Sequence, residues 1–213
     1  MRRPRRVRTL ALAVAAAAVA AMALALVPGA QATKAPPKAP APPADVLLYR
    51  GATTVALDPG TAGALKTLGV SVAPTSSAYA GKAGISFPIT LGVVDAADLT
   101  GQIRHSGGLV FAKGATKVYL SRFFIDIDDA PSLSGKVGGA FGAGDRAELF
   151  SLDLSGLKVD AGSRHIVLSG VGLTLTAGAA DALNAAFGTT AFTEGLPIGT
   201  ATVKARTWAV PAA

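Results

Sequence analysis

From Val46 to Trp208 the chain consists of short apolar or alternating runs broken by Gly, Pro, Ser and Asp. TTVALD, VSVAP, GISFPIT, GQIRHS, GLVFA, TKVYLSRFFIDI, AELFSLDL, RHIVLS, VGLTLT and IGTATVKA read as ten strands, because a period near two buries one face of a sheet and wets the other. Inside residues 116–128 the phase slips. Val118 and Leu120 share one face, whereas Phe123, Ile125 and Ile127 belong to the next set, which predicts a bulge or bend near Ser121-Arg122. Strands this dense leave little room for long helices. The pattern predicts a mainly β body, an antiparallel sandwich or barrel-like set of sheets with two short helices.

The two helices interrupt the alternation at matching places. Asp58 is a good N-cap, Pro59 suits the first helical position, Ala62, Leu65 and Leu68 form an apolar stripe, and Gly69 ends the segment. Thr176 caps the second, with Ala179, Ala180, Leu183 and Phe187 as its stripe and Gly188 as its stop. Leu57, Ala62 and Leu65 correspond to Leu175, Ala180 and Leu183. The pair reads as two strand-helix-strand units covering the two ends of one sandwich, or as a coincidence in an alanine-rich chain.

Charge divides the chain into unlike parts. Residues 1–32 combine a basic start (MRRPRRVR), an apolar run and the small-x-small site Ala30-Gln31-Ala32, which reads as a signal peptide or, uncleaved, a membrane anchor. Residues 33–44 form a Pro/Ala-rich linker that favours extended conformations. Residues 45–209 form a single domain with thirteen Lys and Arg before the C-terminus against thirteen Asp and Glu, so the basic balance of the whole chain belongs to its leader. This balance argues against nucleic acid as a partner. The expected location is secreted or cell-surface, with the membrane touched only through an uncleaved N-terminal segment.

The residues capable of chemistry are few. Cysteine is absent, which excludes disulfides, zinc-cysteine sites, iron-sulfur clusters, thiol catalysis and a lipoprotein anchor. No GxSxG accompanies Ser106, which stands beside His105, and the sugar-binding aromatics of a glycosidase are missing, so no enzyme activity is expected. A buried nucleophile hydrogen-bonded to either imidazole would contradict that expectation. Asp126, Asp128 and Asp129 are candidate oxygen ligands for a metal such as Ca²⁺, or else a solvated strand end.

LFSLDLSGLKVDAGSRHIVLSGVGLTLTAGAADALNAAFG, residues 149–188, resembles the closing part of the Htaa domain of exported actinobacterial proteins. GQIRHSGGLVFAKGATKVYLSRFFID, residues 101–126, resembles the hairpin that precedes it, and together the two segments span about half of the exported part. The resemblance implies a β-rich surface domain that binds haem through a tyrosine assisted by a histidine. With Cys absent and Met confined to the leader, the axial donors available are His105, His165, Tyr49, Tyr79 and Tyr119. Tyr79 and Tyr119 are the candidate axial donors and His105 the candidate assistant. The partner expected is haem or, in an alternative structural or adhesive role, an envelope protein or polymer.

Overall fold

The computed structural model describes residues 45–210 except Ala143, and the leader and linker lie outside it. Twelve strands and two helices follow in the order β1 (Asp45–Leu57), α1 (Pro59–Thr67), β2 (Ser71–Thr75), β3 (Tyr79–Gly81), β4 (Gly84–Asp95), β5 (Gly101–His105), β6 (Gly108–Lys113), β7 (Thr116–Ile127), β8 (Ser132–Gly139), β9 (Arg146–Asp153), β10 (Lys158–Gly162), β11 (His165–Leu175), α2 (Ala177–Phe187) and β12 (Pro197–Val210). All strand pairs are antiparallel. The path β7-β5-β4-β1-β12-β11-β9-β8 returns to β7 through a β7–β8 pairing, so eight strands close into a barrel. Closure removes the exposed edges that an open sheet would leave.

Strand β7 is longer than either neighbour on one side and changes partner along its length. Thr116–Ser121 pairs with β6, and Phe124–Ile127 pairs with β5. Between them Arg122 adopts a left-handed backbone with φ of 52°, and the register with β8 shifts between Ser121 and Phe124. This is the bulge expected from the phase slip. It lets β6, which continues β5 in the same direction along β7, turn away from the line of β5, and β2 then adds to the outer side of β6. The barrel wall is therefore wider at the end where β6 and β2 stand.

The other end is tightly packed. Leu48 and Ile103 are fully buried there and Val94 nearly so. Each is an inward residue of its strand, and opposed pairs such as Leu48 and Gly92 or Ile103 and Gly92 share the interior face.

Both helices form where their caps predict. Asp58 accepts from the Thr61 amide, Thr176 accepts from the Ala179 amide, and Gly188 closes α2 in the left-handed region that a side chain resists. They do not cover opposite ends. Strands β1 and β11 both run antiparallel to β12 and both finish against its beginning, Leu57 opposite Gly199 and Thr174 opposite Pro197. The helices that follow must therefore leave from the same end. Two equivalent strand-helix units flank one strand and roof one mouth of the barrel.

Glycine substitutions separate strained from relaxed backbone. Gly107 has φ of 89°, and a Cβ there would lie 2.5 Å from the Ala78 nitrogen. Gly107→Ala is expected to cost about 2 kcal/mol or more, whereas Gly63→Ala, in the open interior of α1, should stabilise by about 0.5–1 kcal/mol. Urea unfolding midpoints of the two variants should move in opposite directions.

Candidate functional site

Thr53 on β1 and His105 on β5 lie on either side of β4, opposite Phe87 and Ile89 respectively, and both point into the barrel. The Thr53 hydroxyl and His105 Nε2 are 2.7 Å apart, and both side chains are buried. His105 Nδ1 is enclosed without a hydrogen-bond partner. Burial pushes the imidazole from its ordinary 6.5 down to about 4, because the charged form would lose its hydration. The Phe123 carbonyl beside the ring pulls weakly the other way but does not close a hydrogen bond to Nδ1.

A buried hydroxyl on an imidazole is the arrangement that would signal nucleophilic catalysis, so its details matter. A working base is oriented by a third group and titrates near the operating pH. Here nothing orients Nδ1, and a ring that resists protonation down to about pH 4 is a poor acceptor for the threonine proton. The pair behaves as a polar tie across β4, joining β1 to β5.

Above this tie, towards the helices, is a cavity of about 590 Å³. Its walls include Val55, Phe111 and Leu120 from the strands and Leu65, Ala182 and Leu183 from the roof. Thr53 and His105 line it among these apolar groups, and Glu148 is the one formally charged lining residue among those described. Well-packed interiors leave few voids larger than a water molecule. This cavity lies within the range of small-molecule sites, about 300–1,000 Å³. A second void, towards the opposite end, measures about 50 Å³.

The structure brings only one of the sequence-derived candidates to the cavity. His105 lines it. Val118 and Leu120 point inward, so Tyr119 points outward and is 42% exposed. Tyr79 stands opposite Ser86, whose neighbours Ile85 and Phe87 line the cavity, and it too faces outward, 55% exposed. Tyr49 and His165 are not among the lining residues either. Asp126 accepts a hydrogen bond from the Gln102 amide, Asp128 caps its own turn through the Ala130 amide, and Asp129 is exposed. No group of three or more His, Cys, Asp or Glu side chains placed to hold a metal occurs among the described residues. Thr53 was not singled out from the sequence. A threonine at an inward strand position carries a faint signal, but its pairing with residue 105 depends on the intervening strand.

No protein-family model and no curated protein sequence matches the chain. Solved structures do. The C-terminal domain of HtaA from Corynebacterium glutamicum superposes with a TM-score of 0.60 at 15% identity, over 76% of this chain and 99% of that domain. The N-terminal domain of HtaA from the same organism gives 0.52 at 13% identity, over 75% and 97%. The domain is Htaa-like in fold. In this Htaa-like barrel the mainly β architecture expected from the sequence holds, and of its two expected forms the barrel is the one present.

His105 gives the domain a definite acid response. The folded ring titrates near 4 and the unfolded ring near 6.5, so the unfolded chain binds the extra proton between these values. Stability is full above about pH 6.5 and should fall by roughly 3 kcal/mol as pH drops towards 4. In His105→Gln that segment of the profile should flatten, as measured by unfolding midpoints across the pH range.

Proposed function

We propose that the domain is an exported, non-catalytic binding module that takes a flat apolar molecule of the haem class into the helix-roofed end of the barrel. The observation that carries the reading is the 590 Å³ apolar cavity with a single imidazole in its wall. An uncharged His105 suits that wall, because burial holds the ring neutral at physiological pH and leaves a nitrogen lone pair for a ligand rather than a proton. Haem is the ligand that the Htaa resemblance implies, and when bound it supplies an iron with an axial position open to such a donor.

His105 is the donor in this proposal. Its Nε2 is held by Thr53 and its Nδ1 is enclosed, so engaging a ligand means turning the ring and giving up the threonine bond. Tyr79 and Tyr119, the other candidates, stand on the outer face and would serve only a ligand held there. The outward placement of Tyr79 and Tyr119 supports a second reading, a structural or adhesive envelope module that uses the outside of its barrel.

Hemin titration separates the two. The first reading expects a shifted Soret band at micromolar hemin that is lost in His105→Ala and in the cavity-filling Ala182→Trp, and kept in Tyr79→Phe and Tyr119→Phe. Metal-free protoporphyrin should bind the wild type and His105→Ala alike, since its retention rests on shape. No Soret shift with the wild type, or a shift that survives both Ala182→Trp and His105→Ala, overturns the haem reading.

A further inference from the structure

We propose that the outer face of β5, β7, β8 and β9 is a binding surface for a linear polyanion whose repeating charges are phosphates. The proposal does not depend on the cavity. Strand pairing gathers there four cations that are scattered in the sequence: Arg104 on β5, Arg122 in the β7 bulge, Lys136 on β8 and Arg146 on β9. All four are exposed.

Their arrangement is unfavourable without an anion. Lys136 and Arg146 are directly opposed across the β8–β9 ladder, a like-charge pair that destabilises a sheet. The guanidinium of Arg146 lies 3.7 Å from the ring centre of Phe124 and that of Arg104 lies 5.1 Å from it, so one phenyl ring holds two cations. The hydrogen bonds of Arg146 go to Ser134 Oγ and to the Arg122 carbonyl, each at 3.0 Å, and that of Arg104 goes to Gln102 Oε1. None goes to a carboxylate. The carboxylates beside them are Asp126, engaged by the Gln102 side-chain amide, Glu148, opposite Ser134, and Asp145, which precedes Arg146 in the chain and accepts the Val137 amide at its backbone carbonyl.

These contacts fix the guanidinium planes while leaving their charge unneutralised. Three of the four cations are arginines, whose forked donors meet a phosphate through two oxygens at once. Adjacent strands are about 4.8 Å apart, so the cations form a diagonal band across β5, β7, β8 and β9 roughly 14 Å wide, with Arg104 level with Phe124, and Lys136 and Arg146 level with Ser121. A band suits a chain of anions better than a single one. On a body with no net charge, such a face attracts a polyanion locally without attracting it everywhere.

Binding of the purified full chain to immobilised long-chain polyphosphate, over a salt series, tests the proposal. The basic leader is common to every variant, so differences between variants report the face. Arg104→Gln/Arg146→Gln should weaken retention about tenfold or more and reduce the slope of log affinity against log salt by between about 1 and 2. Lys66→Gln/Lys158→Gln, which removes two cations from α1 and β10, should change neither. Should the first pair unfold the domain, Arg122→Gln/Lys136→Gln removes charge without touching the Phe124 stack and should give the same direction of change. Equal losses in the control pair, wild-type retention in both face variants, or equally tight retention on poly-glutamate would each overturn the assignment.

Discussion

The partner exchange along β7 is the constraint on which the rest of the domain depends. An eight-stranded barrel has an interior just wide enough for side chains to fill or for one small ligand. The packed end obeys the first case, with Leu48, Ile103 and Val94 buried inside it. At Arg122 a backbone forced into positive φ lets β7 leave β5 and take β6, and the wall gains circumference without gaining length. A bulge normally costs a ladder bond and some strain. Here it separates a solid half of the barrel from a hollow one, and the last residue of β5 at the seam is His105.

The placement of charge follows a similar division. Five of the thirteen acidic residues accept from backbone amides: Asp58 at the start of α1, and Asp95, Asp98, Asp128 and Asp153 in turns. At Asp98 and Asp153 these amides draw the carboxyl below its usual range, the Thr100 and Ser155 amides being the first cause in each case. A carboxylate so engaged shapes a loop and is not free to neutralise a distant arginine. A chain can thus have equal numbers of both signs and still carry an uncompensated basic face.

Much of the fold could be read from the chain. Period-two runs marked most strands, the Asp58 and Thr176 caps marked both helices, and the shift of phase after Leu120 marked the bulge. The three-residue β3, the glycine-rich β8 (SLSGKVGG) and the wholly exposed β10 escaped notice, because strands without apolar alternation look like loops. The continuity of RHIVLS and VGLTLT as one strand was also hidden, because Gly170 interrupts the apolar run at the point where the register shifts. The site was less legible. His105 stood out as a rare residue type, but its tie to Thr53 crosses 52 positions and a third strand. The tyrosines stood out for the same reason of rarity, and only strand register reveals that they face away from the hollow. Neither the basic band nor its phenyl ring can be seen without knowing that residues 104, 124, 134 and 146 are neighbours.

The two halves of the roof share a suspension. Asp58 donates its amide to the Ile198 carbonyl, the Thr61 hydroxyl donates to the Pro197 carbonyl, and the Leu175 amide donates to the Leu196 carbonyl. Three consecutive carbonyls at the entry to β12 therefore tether the starts of both helices. A displacement of that tripeptide would pull on both helix starts at once, with α2 held in addition from β9, where the Thr176 amide and hydroxyl reach the Leu149 carbonyl.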